Sequence, residues 1–129
     1  GEMDKLALWE AGKKNCISVP NGANDNDDVW KTCEQYLSTI EKFYICTDMD
    51  EKGVEIAEKI AQRLGRYRCE RVTFKNKDAN DDLIESLFTL EESLNNSKRY
   101  PVSGTFKVED NVAVPIIAGL VGQILVWIL

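Results

Sequence analysis

The first 94 residues alternate between short apolar runs and longer segments in which apolar residues recur every three or four positions. The predicted strands are 16–19, 43–46 and 69–74, and the predicted helices are 4–11, a segment with Val29, Trp30, Cys33, Leu37 and Ile40 on one face, 53–64, 81–88 and a short helix that begins at Thr89. Continuous apolar runs are typical of parallel strands that are buried on both faces. Strands that alternate with helices indicate an α/β fold with three layers, in which helices flank a central, mostly parallel sheet.

Local signals predict where three of these helices begin or end. Asp27 or Asp28 stands at the N-cap of the second helix, and Gly65 lies just past the end of the third, at the usual C-cap position. Residues 89–92 have the spacing of a capping box, in which a threonine is followed three residues later by glutamate.

The last third of the chain has a different pattern. Residues 95–111 are irregular, and residues 112–129 are almost wholly apolar. The apolar stretch is borderline in length for a membrane span, and Glu109 and Asp110 precede it instead of the usual lysines and arginines. We expect a buried strand or helix, or a tail produced by truncation or a shifted reading frame, in preference to a membrane anchor. The predicted division is therefore a folded domain at 1–94, a linker at 95–111 and an apolar tail of unclear origin at 112–129.

Composition and charge limit the functions that the chain can have. Its 129 residues, 43% of them apolar, are enough for one modest core. The formal charge is −6, from 22 acids and 16 bases, whereas a protein that grips nucleic acid through phosphates alone is normally basic. An acidic chain can still act on nucleic acid if its carboxylates hold cations that meet the phosphates, or if a longer parent supplies basic domains.

The absence of histidine excludes His-based acid–base and triad chemistry. The four cysteines form no C-x-x-C pair, which argues against a zinc site and favours small core residues. No signal peptide opens the chain, so we expect a reducing cytoplasm.

The clearest chemical signal lies in residues 47–53, with the sequence TDMDEKG, directly after a predicted buried strand. On an extended chain Asp48 and Asp50 point the same way, about 7 Å apart, and can converge on a hard cation. The alternative is that the two aspartates only cap the helix that follows. Residues 1–4 (GEMD) and 77–81 (KDAND) add acids near the same edge of the sheet, although Asp4 can equally cap its own helix and Lys77 can be an ordinary surface lysine.

Taken together, these three motifs resemble the Toprim family, which reads Glu-Gly-x-x-Asp after its first strand and Asp-x-Asp-x-x-Gly after a later one. Residues 77–80 reproduce the Lys-Asp-Ala-Asn segment of the phage-type and Twinkle-like primase-helicases, and residues 18–23 look like the loop after their second strand. The resemblance covers about residues 1–85, continues weakly through 98–104 and lapses near Asp110. It implies a Toprim-like, Rossmann-type three-layer fold. The implied site residues are catalytic Asp4, Asp48 and Asp50, metal ligands Asp48, Asp50 and Asp78 for Mg²⁺ or Mn²⁺, and nucleotide- or phosphate-binding Lys77 and Asn80.

One motif departs from the family pattern. The catalytic glutamate of the family precedes the glycine that aligns with Gly1, and Glu2 comes one position too late to replace it. The resemblance therefore implies a fragment that lacks the first strand and is inactive alone.

The function implied by the resemblance is that of the Toprim catalytic subdomain of a DNA primase joined to a helicase. Its Mg²⁺-dependent nucleotidyl transfer would make RNA primers during DNA replication. The implied partners are a single-stranded DNA template, nucleoside triphosphates, and the helicase domain or replisome of the parent protein, with no membrane. The alternatives are a Toprim nuclease or topoisomerase-type module, and a non-catalytic DNA-binding or structural relic of a replicative helicase.

Overall fold

The computed structural model describes residues 2–18, 27–101 and 125–128. The helices are α1 (Glu2–Glu10), α2 (Asp27–Leu37), α3 (Glu51–Leu64), α4 (Ala79–Glu85) and α5 (Leu87–Asn95), and a short 3-10 helix spans Arg66–Arg68. The strands are β1 (Cys16–Ile17), β2 (Lys42–Ile45), β3 (Cys69–Arg71), β4 (Lys98–Arg99) and β5 (Leu125–Ile128). No helix within these described ranges is long and apolar enough to cross a membrane.

The five strands form one sheet in the order β1-β5-β2-β3-β4. The pairs β1–β5, β5–β2 and β2–β3 are parallel, and only β4, at the edge, runs antiparallel to its neighbour β3. The carboxyl ends of the four parallel strands consequently lie along one edge of the sheet. That edge is where open parallel sheets bind their ligands.

Alternate residues of β2 divide the core into two halves, one on each face of the sheet. Phe43 and Ile45 are fully buried among side chains that include Ile60 of α3. Tyr44 and the following Cys46 face the opposite cluster, which contains residues of α1 and α5. This period of two is that of a strand covered on both sides, and the predicted three-layer α/β fold is confirmed.

The inner strand β5 comes from the far end of the apolar tail. It lies between β1 and β2, with Ile128 fully buried opposite Ile45 and Ile17. The ring of Trp127 stacks on that of Tyr44, with 4.3 Å between the ring centroids. Of the expectations for the tail, a buried strand is what residues 125–128 form, and the sheet takes β4 and β5 from sequence beyond residue 94. The predicted boundaries at 94 and 111 stay predictions, and the loop at 19–23 and most of the linker lie outside the described residues.

Some helix ends differ from those predicted. The predicted capping box at 89–92 is wrong, because α5 begins two residues before Thr89. The N-cap is Ser86, whose hydroxyl accepts from the backbone N–H of Thr89 at 3.0 Å. Gly65 ends α3 as predicted, with φ at 99°, a conformation that glycine adopts without strain. Cys16, Cys46 and Cys69 are buried as expected, whereas Cys33 is exposed, so the predicted apolar face of α2 is only partly buried.

Candidate metal centre

Three aspartates from three separate segments meet at the carboxyl edge of the sheet. Asp4 lies in α1, Asp48 follows β2, and Asp78 precedes α4. One carboxylate oxygen from each lies within 4.8 Å of the other two. Asp4 is buried, with a relative exposure of 7%, and the other two are half-buried.

The position of Asp48 is fixed by the turn that joins β2 to α3. The hydroxyl of Thr47 donates to the carbonyl of Gly53 at 2.7 Å, which closes the turn on itself. The backbone of Gly53 packs directly on that of Asp48, where a Cβ would overlap the Asp48 carbonyl oxygen. Asp50 is the N-cap of α3, and its Oδ1 accepts from the N–H of Gly53 at 2.7 Å. Only glycine at position 53 allows the helix to start this close to the acid.

Arg71, at the end of β3, lies beneath the same turn and is partly buried. Its Nη2 donates to the carbonyl of Asp48 at 3.0 Å, and its Nη1 donates to the carbonyl of Thr47 at 3.1 Å. Nη1 also reaches the carbonyls of Ile45 at 3.2 Å and Val72 at 3.1 Å. The guanidinium thus fills the gap between the ends of two strands and donates to carbonyls on both sides of that gap.

The loop that carries Asp78 is organised by a buried aspartate. Asp82 is fully buried, and its carboxylate accepts from the N–H groups of Lys75 and Asn76 at 3.2 and 2.8 Å. It also accepts from the side-chain amide of Asn76 at 2.9 Å and from the hydroxyl of Ser93 at 2.6 Å. Four donors satisfy the carboxylate and tie the loop to α5. Asp78 itself caps α4 by accepting from the N–H of Asp81 at 2.8 Å.

Backbone hydrogen bonds connect these segments. The N–H of Met49 donates to the carbonyl of Lys77 at 2.7 Å, which joins the loop after β2 to the loop after β3. The N–H of Asn80 donates to Oδ1 of Asp4 at 3.1 Å, which joins α1 to the first turn of α4. The three acids therefore belong to one connected framework.

Burial and neighbouring charges shift the pKa of the Asp48 carboxyl. Burial raises the pKa of the Asp48 carboxyl above its ordinary value, and the carboxylates of Asp4, Asp78 and Asp50 raise it further, in that order. The nearby ammonium of Lys77 lowers it. Carboxylates that repel one another in this way are relieved by proton uptake or by a bound cation.

The chemistry of the three oxygens fits a hard divalent ion. Mg²⁺ prefers carboxylate oxygens at about 2.1 Å, so that oxygens on opposite sides of the ion lie about 4.2 Å apart. The three carboxylate oxygens lie within 4.8 Å of one another, so small side-chain rotations are enough to bring them onto a shared ion. If Mg²⁺ or Mn²⁺ binds here, Asp4, Asp48 and Asp78 are the residues that would hold it.

The predicted site residues fall into two groups. Asp4, Asp48 and Asp78 come together, whereas Asp50 is exposed and caps α3. The metal role predicted for Asp50 stays a prediction. Of the other residues, Lys77 is exposed beside Asp48, Asn80 binds Asp4 through its backbone N–H, and Glu2 is exposed at the start of α1.

Two residues that support the site, Arg71 and Asp82, were not identified from the sequence. Each has a weak signal: Arg71 is a charged residue within the predicted strand 69–74, and Asp82 lies on the face of α4 that also presents the buried Ala79. Neither signal says what the side chain binds.

An open α/β sheet with carboxylates gathered at its carboxyl edge defines a class of acidic, cation-binding modules. A family model described as Toprim-like matches residues 1–83, more than half of the chain. The chain belongs to the Toprim-like family, and the predicted family is confirmed.

Two curated relatives, both from Arabidopsis thaliana, are similar to the chain. "Twinkle homolog protein, chloroplastic/mitochondrial" is 38% identical, over 85% of this chain and 19% of that protein. "Primase homolog protein" is 36% identical, over 79% of this chain and 37% of that protein. The chain therefore spans well under half the length of either relative. No solved structure matches it.

Proposed function

We propose that this chain is the Toprim module of a DNA primase and supports nucleotidyl transfer for RNA primer synthesis during DNA replication. The observation that carries the proposal is the convergence of Asp4, Asp48 and Asp78 within 4.8 Å at the carboxyl edge of the sheet. The names of the two relatives, a Twinkle homolog and a primase homolog, support the primase branch of the family over a nuclease or topoisomerase.

The three carboxylates would hold Mg²⁺ or Mn²⁺, which neutralises the charge that develops on phosphate oxygens as a phosphodiester forms. Other residues of the chain hold the three acids in place. Arg71 and Gly53 fix the backbone of Asp48, and Asp82 fixes the loop of Asp78. The exposed ammonium of Lys77 lies where it can contact a triphosphate that approaches the acids.

The substrates under this proposal are nucleoside triphosphates and a single-stranded DNA template, and the partner is a helicase domain or replisome. A net charge of −6 supports a division of labour in which template binding depends on other, basic domains. The proposed location is the cytoplasm, whereas the Twinkle homolog is named for chloroplasts and mitochondria. Imaging of the tagged full-length gene product distinguishes these compartments.

The first test is a Mn²⁺ titration of the purified chain followed by electron paramagnetic resonance of the free ion. We expect weak binding that Asp48→Asn and Asp78→Asn each reduce by about tenfold or more, because each removes a charged oxygen ligand. Asp81→Asn is the matched control, since it removes the same charge one turn of helix away from the cluster. Equal loss in all three variants would show that general charge, and not a defined centre, attracts the ion.

The second test asks for primer synthesis on single-stranded DNA. We expect negligible synthesis by the 129-residue chain alone. In a full-length gene product that contains the module, we expect Asp48→Asn to abolish priming and leave duplex unwinding intact. Unchanged priming in that variant would favour the non-catalytic alternative, and metal-dependent cleavage of DNA by the wild type would favour the nuclease.

A further inference from the structure

The carboxyl edge contains a partly buried cation beside the three acids. Arg71 lies on β3, and its guanidinium ends under the turn of the adjacent strand β2. A cation next to a proposed cation site is unexpected on electrostatic grounds, because it repels the ion that the acids attract. Its presence there requires another reason.

The hydrogen bonds of Arg71 supply that reason. They go to the backbone carbonyls of Ile45 on β2 and of Val72 just past β3. They also go to the carbonyls of Thr47 and Asp48 in the acidic turn, which joins β2 to α3. The planar fork of arginine can reach several acceptors at fixed angles, which the single ammonium of lysine cannot do. The turn is thereby held from below by Arg71, while the N–H of Met49 is held from the side by the carbonyl of Lys77.

We infer that Arg71 is a positioning residue for the metal centre: it aims the carboxylate of Asp48 by clamping the backbone of its turn. This inference rests on the proposed function. It assigns Arg71 a role through the backbone, with no contact to the ion or the nucleotide. Partners of this kind around metal ligands typically contribute about ten- to a hundredfold to metal affinity.

Arg68 provides a matched comparison within the same protein. It is also a partly buried arginine that donates to carbonyls of separate segments, namely those of Leu64 at 2.6 Å, Leu37 at 3.1 Å and Ile40 at 2.9 Å. These carbonyls belong to the opposite end of the sheet, where α2 and α3 end. Loss of Arg68 therefore removes a similar clamp without touching the acidic turn.

The test is the Mn²⁺ titration of the 129-residue chain with Arg71→Met, Arg71→Lys and Arg68→Met. The two possible roles of Arg71 predict opposite signs. If Arg71 acted only through its charge, Arg71→Met would tighten Mn²⁺ binding, because it removes a positive charge beside the acids. A clamp predicts weaker binding, by about tenfold. We expect weaker binding in Arg71→Met, a smaller loss in Arg71→Lys, and wild-type affinity in Arg68→Met.

Each outcome decides the inference. Equal or tighter binding in Arg71→Met overturns it, and so does an equal loss in Arg68→Met, since the effect would then be general destabilisation. If Arg71→Met does not fold, Arg71→Lys decides alone: wild-type affinity overturns the inference and weaker binding supports it. The proposed function fails separately, and takes this inference with it, if the wild type shows no Mn²⁺ binding that Asp48→Asn reduces.

Discussion

Two loops bring acids to the same edge of the sheet, and residues of opposite charge hold them. The loop after β2, which carries Asp48, is held by the cation Arg71. The loop after β3, which carries Asp78, is held by the anion Asp82. Neither supporting residue is one of the three clustered acids.

The difference follows from which backbone groups each loop leaves unpaired. The turn after β2 presents the carbonyls of Thr47 and Asp48 to Arg71. The segment before α4 presents the N–H groups of Lys75 and Asn76. Buried carbonyls need a donor and buried N–H groups need an acceptor, so the sign of each supporting residue is set by the backbone and not by the acids nearby.

The largest expected effect on stability comes from removing the buried carboxylate of Asp82. Asp82→Ala leaves donors of Lys75, Asn76 and Ser93 without their acceptor and creates a cavity, which we expect to lower the free energy of unfolding by about 3 kcal/mol. Urea unfolding followed by circular dichroism measures this loss. The control is Asp81→Ala, on the same helix and half-buried, for which we expect a loss below about 1 kcal/mol. Similar losses in both variants would mean that the loop after β3 does not depend on its buried carboxylate.

A smaller effect on stability, but a local one, is expected at the other loop. Gly53→Ala places a Cβ against the carbonyl of Asp48, and either the turn or the helix must move. In an unhindered helix the same change would stabilise by about 1 kcal/mol, so the sign of the effect is informative. We expect a loss of about 2 kcal/mol, together with weaker Mn²⁺ binding. A gain in stability would show that the close approach of Gly53 to Asp48 is not a constraint.

Much of this comparison could be predicted from the sequence, because both acidic loops follow segments that are predicted to be strands of a parallel sheet. The ends of those strands are enough to place Asp48 and Asp78 on one edge. The pairing of Asp4 with Asn80 joins residues 76 positions apart, which no local pattern indicates. Asp50 shows a second limit of prediction from the sequence, because a D-x-D spacing fits both a metal ligand and a helix cap.

The supporting residues and the sheet order could not be predicted for a related reason. Arg71 and Asp82 act on backbone groups of other segments, and single residues carry no pattern that names such partners. The position of β5 between β1 and β2 depends on parallel pairing across more than 80 residues of sequence. An apolar run of this kind indicates burial but not which strand it pairs with.

The smallest expected effect is that of Asp48→Asn on the free energy of unfolding, and its sign depends on whether the metal is bound. Because the folded-state pKa of Asp48 is raised, ionisation of this carboxyl is less favourable in the folded protein than in the unfolded chain. The wild type therefore loses stability as the pH rises through the pKa of Asp48, and it recovers that stability when the carboxyl is protonated at lower pH. In metal-free buffer at about pH 7 we expect Asp48→Asn to raise the free energy of unfolding, by less than about 1 kcal/mol because Asp48 is half-exposed and screened by solvent.

In saturating Mg²⁺ we expect the opposite order of stability, with the wild type more stable than Asp48→Asn. An ion that binds only the folded state stabilises it in proportion to the logarithm of its concentration over the dissociation constant, and the neutral amide introduced by Asp48→Asn lacks the charge to hold it. Thermal unfolding with EDTA and with Mg²⁺, for the wild type and Asp48→Asn, measures both signs in one experiment. If the variant is more stable under both conditions, the three acids only repel one another. If Mg²⁺ makes the wild type the more stable protein, the cation site explains why a partly buried carboxylate stands among other acids at position 48. The metal-free protein is then less stable because burial and neighbouring charges disfavour the ionised form of Asp48.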